Sequence, residues 1–156
     1  MSAPLDDLYQ SLILDHNRRP RNVGPLEGAN RSARGRNPLC GDECTLWLRV
    51  EGDTIEEVRF VGSGCAISKA SASVLTTVVK GRTTAEATAL FERFHGLVTG
   101  RPVDGPELPR SLAAFAGVAR FPMRVKCASM AWHALRQALE HGADVPTDEA
   151  AGPADA

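Results

Sequence analysis

The chain has 156 residues, 43% of them hydrophobic and 24% charged, with a formal net charge of -1. That length suits one domain with its own core, and the near-neutral balance removes the electrostatic reason to expect a nucleic-acid partner. No apolar run approaches the length of a membrane span, and residues 1–10 are acidic without a signal-peptide pattern, so a cytoplasmic protein with reduced thiols is expected.

Leu5, Leu8, Tyr9, Leu12 and Ile13 recur at helical spacing and predict an amphipathic helix over residues 4–17. Pro20 stops it, with a basic exit at Arg18, Arg19 and Arg21. Arg31 to Pro38 reads as a polar, extended stretch. From Cys44 the period becomes two, with Cys44, Leu46, Leu48 and Val50 on one face and Thr45, Trp47 and Arg49 on the other. A turn at Glu51-Gly52-Asp53 leads into a second strand carrying Ile55, Val58 and Phe60, whose imperfect period suggests a bulge.

Gly62-Ser63-Gly64 ends that strand and a helix starts near Cys65, with Ile67, Ala70, Val74, Leu75 and Val78 as its buried stripe and Gly81 as its cap. Thr83 and Glu86 have capping-box spacing and open a helix to Thr99. Gly100 to Pro109 reads as a loop, and Ser111 to Val118 as a short helix. The last helix is predicted over Pro122–His141, with Val125, Ala128, Trp132, Leu135 and Leu139 on one face. Residues 143–156 are small and acidic and read as a disordered tail after a single domain of residues 1–142. Strands followed by helices predict an α+β domain, a small antiparallel sheet with helices packed on one face.

Four cysteines in a reducing setting point to metal binding or catalysis before disulfides, with buried small hydrophobes as the plain alternative. Cys40, Asp42 and Cys44 alternate, so an extended chain turns all three to one side, and by pattern alone any two of them could be ligands. Cys44 continues an apolar face, which favours the core. Asp42 at the edge of that face is costly unless a cation or hydrogen bonds satisfy it. Cys65 follows a Gly-x-Gly turn and opens a helix, where free N–H groups and the dipole favour a thiolate. Cys127 has Arg124 one turn earlier and Lys126 beside it, cations that favour its anionic form unless they are simply a solvated face. The intervals between these cysteines match no zinc-finger spacing. His16, His95, His133 and His141 read as surface or packed residues. There is no Gly-x-Ser-x-Gly, P-loop or dinucleotide fingerprint.

Leu8-Tyr9, Asp15-His16, Asn22-Val23-Gly24, Asn37-Pro38, Cys40-Gly41-Asp42, Gly62-Ser63-Gly64-Cys65 and Arg124-Val125-Lys126-Cys127 together resemble the iron–sulfur assembly proteins of the IscU/NifU N-terminal type. The likeness runs from about Leu5 to Leu139. Within that family the chain is similar to the SufU branch, because Lys126 stands where the scaffold branch has a histidine. The long interval containing Gly100–Pro109 points the same way.

The resemblance implies Zn2+ held through Cys40, Asp42, Cys65 and Cys127, a set of soft thiolates and one hard carboxylate that a borderline ion accepts. It implies persulfide sulfur accepted on Cys40 from a pyridoxal-phosphate cysteine desulfurase and relayed to a downstream iron–sulfur assembly complex. In that branch a desulfurase histidine replaces the thiolate on the zinc, and the position of Arg124 assists the exchange. Cys44 departs from the family pattern, as a spare thiol or an alternative ligand. Two other readings stand beside this one: a scaffold building a transient [2Fe-2S] cluster on the same ligands, and a structural zinc site in an interaction module, against which the Asp42 ligand counts.

Overall fold

The computed structural model describes residues 3–37, 41–101 and 108–141. The tail expected at residues 143–156 and most of the loop expected at Gly100–Pro109 lie outside them.

Helix α1 (Ala3–Arg18) forms where the apolar spacing places it, and its Tyr9, Leu12 and Ile13 pack against the core. Strand β1 (Arg31–Asn37) is the polar extended stretch. It pairs antiparallel with β2 (Asp42–Glu51), which pairs with β3 (Thr54–Ser63), giving a three-stranded sheet of order β1-β2-β3. Cys44, Leu46, Leu48 and Val50 of β2 are all buried, as the alternation requires. Between the pairs Arg49–Glu57 and Val50–Ile55 the register shifts. Glu56 is therefore the extra residue of a β-bulge, which explains the broken period of β3.

Asn22–Gly24 runs beside β3. Phe60 N donates to Asn22 O at 3.0 Å and Gly24 N donates to Phe60 O at 2.9 Å. Asn22 holds φ +58° there, a conformation asparagine tolerates better than most residues.

Helix α2 (Ala66–Val79) packs against β3, α1 and the last helix. Its buried surface is wider than a single stripe, because Ser68, Ser71, Ser73 and Thr76 are buried as well. Small side chains let neighbouring helices approach closely, and each hydroxyl finds a partner. Ser71 Oγ donates to Ala128 O at 2.6 Å, and Thr76 Oγ1 donates to Ser73 O at 2.7 Å.

Helix α3 (Thr84–Val98) opens with both arms of the capping box: Thr83 N donates to Glu86 Oε1 at 2.9 Å and Glu86 N donates to Thr83 Oγ1 at 3.0 Å. The single short helix expected at Ser111–Val118 is instead a turn of α-helix, α4 (Arg110–Ala113), running into a 3-10 helix at Ala114–Arg120. Its buried residues Leu112, Phe115 and Val118 recur every third position, which matches three residues per turn.

Helix α5 (Pro122–His141) begins on proline, whose missing N–H costs nothing at a first helical position. It lies across β1 and β2 and against α2. A Cβ on Gly35 of β1 would sit 2.9 Å from Met130 O, so glycine is what lets the helix backbone lie on the strand. Trp132 of α5 stacks on Phe94 with centroids 4.8 Å apart, and Phe94 meets Phe115 edge-on at 5.7 Å. Burying each such side chain contributes roughly 1.5–3 kcal/mol.

Candidate metal centre

Three segments distant in sequence meet at one end of the sheet. Asp42 is the first residue of β2, reached through Gly41 at φ +76° and paired across the strands with Asn37. Cys65 is the N-cap of α2, after Gly64 ends the β3 connection at φ +132°. Cys127 lies in the second turn of α5. The Asp42, Cys65 and Cys127 ligand atoms all lie within 4.8 Å of one another.

Asp42 is only 2% exposed, so its carboxylate needs partners. Cys65 N donates to Oδ1 at 3.1 Å, while Ser68 Oγ and Cys65 Sγ donate to Oδ2 at 3.0 and 3.2 Å. One carboxylate thus caps the first turn of α2 and offers an oxygen to the cluster. A Cβ on Gly64 would fall 2.2 Å from Asp42 Oδ1, so only glycine lets the loop close over the carboxylate. Cys127 is buried, and Asn37 Nδ2 donates to its Sγ at 3.7 Å. Cys65 is partly exposed, which leaves the group a way out to solvent.

Cys44 is two residues from Asp42 but belongs to the apolar core. It is 2% exposed, and burial pushes its thiol up to about 12. It remains a neutral thiol at physiological pH and stands outside the Asp42–Cys65–Cys127 group. The sequence-predicted ligand and acceptor Cys40 lies outside the described residues.

Arg124, Met123 and Ile67 line an open cavity of about 380 Å3 together with Cys65 and Cys127. The Arg124 guanidinium lies 4.8 Å from the centroid of the Phe121 ring. Met123 is 53% exposed and Phe121, under the Arg124 guanidinium, 45%. Burial raises the Tyr9 phenol above its ordinary value, against the pull of Arg124.

His16 proves a packed residue. Its Nδ1 lies 2.7 Å from Ser73 Oγ, which also accepts Arg21 N at 2.9 Å. Burial lowers the His16 pKa, so the folded state favours the neutral ring. Asn37 and Ser68 are the contributors that sequence reasoning missed. Asn37 was visible as part of a family motif without a role, and Ser68 had only its position one turn after Cys65 as a signal.

The group suits a borderline divalent ion. Two thiols and a carboxylate oxygen from independent elements already point inward, and a tetrahedral shell needs one donor more.

The chain belongs to the family of the NifU-like N terminal domain, which matches residues 8–143. Its fold agrees with that of solved structures in the family. Over 142 residues it is 38% identical to an iron–sulfur cluster assembly scaffold protein IscU of Streptococcus pyogenes serotype M1, covering 91% of this chain and 89% of the relative. Over 138 residues it is 37% identical to the zinc-dependent sulfurtransferase SufU of Bacillus subtilis (strain 168), covering 88% and 93%. A solved structure from Fervidobacterium islandicum AW-1, described as a scaffold protein for the SUF system, superimposes with a TM-score of 0.77 at 35% identity. That match covers 85% of this chain and 97% of the other. The chain is thus a member of an iron–sulfur cluster assembly family, and no helix among the described residues is long and apolar enough to cross a membrane.

Proposed function

We propose that this chain is a zinc-dependent sulfurtransferase of iron–sulfur cluster assembly, taking persulfide sulfur from a cysteine desulfurase in the reducing cytoplasm and passing it to the assembly machinery. The observation that carries this reading is the convergence of Asp42, Cys65 and Cys127 within 4.8 Å, an oxygen donor among thiols. Cys40, two residues before Asp42 in the Cys40-Gly41-Asp42 motif, is the fourth donor in this reading. The match to the B. subtilis sulfurtransferase supports zinc.

Bound zinc would keep its thiol ligands deprotonated at neutral pH. The chain's own residues do the rest. Asp42 is held by Cys65 N–H and Ser68, and Asn37 donates to the Cys127 sulfur, so the ligands need little rearrangement. In transfer, the Cys40 thiolate attacks the outer sulfur of the desulfurase persulfide. A new S–S bond forms, the old one breaks, and the desulfurase cysteine leaves as a thiolate, with no external oxidant. Arg124, which lines the cavity with Cys65 and Cys127, supplies a cation to this site.

The test is intact-mass analysis of the zinc-loaded protein with its desulfurase and cysteine. One added sulfur on Cys40, absent in Cys40→Ser, is expected. No adduct on any cysteine would end the proposal. The scaffold named among the relatives is the second reading. Anaerobic purification separates the two, since about one zinc without visible absorption supports the sulfurtransferase, and iron with sulfide supports the scaffold.

A further inference from the structure

Lined by a different set of residues from the Cys65–Cys127 cavity, a separate groove of about 450 Å3 runs between β1 and α5. Arg34, Arg36, Lys126, His95 and His133 are among the residues that line it, and none of the described lining residues is acidic. Arg34 pairs with Glu43 at 2.8 Å, whereas the Arg36 and Lys126 side chains are exposed. His95 Nδ1 lies 3.0 Å from Arg101, which can donate to it and so leave Nε2 as a ring donor. The His95 and His133 rings stand edge-on, 5.6 Å between centroids.

Three cations and two imidazoles thus border a concave space to which the described residues add no carboxylate. The wall is shared with the metal centre, because Asn37 lines the groove and also donates to Cys127 Sγ. Glu43 and Glu140 lie outside the lining, each engaged with an arginine. A groove of this size and sign suits a compact oxyanion carrying two or more charges, which two basic side chains from facing elements can grip together.

We infer that the β1–α5 groove binds a small multiply charged oxyanion, a phosphate or a polycarboxylate, through Arg36 and Lys126 beside the metal centre. The site does not depend on the sulfur-transfer reading.

The test titrates inorganic phosphate and, separately, tricarballylate into the full chain at low ionic strength. Calorimetry and the ring-proton NMR signals of the histidines are the readouts. Tricarballylate is chosen as a weak chelator, and metal content is measured before and after. One-site saturation tighter than about 1 mM is expected, with His95 and His133 shifting and His16, packed against Ser73, unmoved. Arg36→Gln with Lys126→Gln should weaken binding about tenfold or more. A response to phosphate alone assigns a phosphate ligand, and a response to tricarballylate alone assigns a carboxylate. The inference falls if neither anion saturates, if the double variant binds as the parent does, or if the histidine shifts are uniform.

Discussion

A single carboxylate does two jobs at the candidate metal centre, and substitutions around it separate them. Asp42→Asn keeps the shape but loses the charge a cation requires and turns the Oδ2 acceptor of Ser68 and Cys65 Sγ into a donor, so metal affinity and stability should fall together. Ser68→Ala removes a donor to Oδ2 while leaving every ligand in place. Loss of such an outer partner commonly lowers metal affinity about 10–100-fold, and competition against a chromophoric chelator would measure it. Gly64→Ala should be worse for the fold, since its Cβ would overlap the carboxylate in a backbone conformation that L-residues avoid. A loss of at least ~2 kcal/mol in urea unfolding is expected. Cys44 makes the opposite prediction. With its thiol pushed up to about 12 by burial, it should resist iodoacetamide in the native metal-stripped protein while Cys65 reacts, and peptide mapping would read both.

His16 contributes to the pH dependence, as does His133, whose pKa burial also lowers. Burial lowers the His16 pKa first, and Arg21 adds to this, against a smaller opposing pull from Asp15. The folded state therefore prefers the neutral ring. Its stabilisation is complete above the unfolded value of about 6.5 and is lost as pH falls through the lower folded value. In metal-stripped protein, the urea midpoint should drop between about pH 7.5 and about pH 5.5, and drop less in His16→Gln. An equal drop in both would remove His16 from this account.

Elements differ in how plainly local sequence declares them. The Thr83–Glu86 box was readable because its two hydrogen bonds join residues three apart, and Thr83→Ala should cost about 1 kcal/mol in thermal or urea unfolding. The β2 alternation and the span of α5 were readable for the same reason, as period and caps are local. Strand β1 was legible only as extended chain. Its sequence Arg-Ser-Ala-Arg-Gly-Arg-Asn has no β-branched or aromatic residue, and its strand state comes from pairing with β2 and from Gly35 meeting α5. The candidate site divides the same way. Asp42, Cys65 and Cys127 were marked by residue type, turn chemistry and family motif. Asn37 and Ser68 act through partners 90 and 26 residues away, which no local pattern encodes.

Across the whole molecule, the candidate ligands Asp42, Cys65 and Cys127 come from β2, the start of α2 and α5, so an ion held there would tie the sheet to both central helices. In zinc-finger peptides such linkage is worth about 10–16 kcal/mol, but this chain has a core of its own and should lose only part of its stability. Chelation is expected to lower the melting temperature while far-UV circular dichroism keeps the helix and strand signal. Complete unfolding on chelation would show the core to be insufficient alone.

The sheet also has an open flank. Among the described residues nothing pairs with the outer side of β1, whereas Asn22–Gly24 lies along β3. Arg34 and Arg36, two residues apart, bring charged side chains to that strand. Charge on an edge strand makes it a poor template for intermolecular stacking. Arg34→Val with Arg36→Val should therefore yield a chain that self-associates as its concentration rises, visible as growing light scattering without any change in its melting behaviour when dilute.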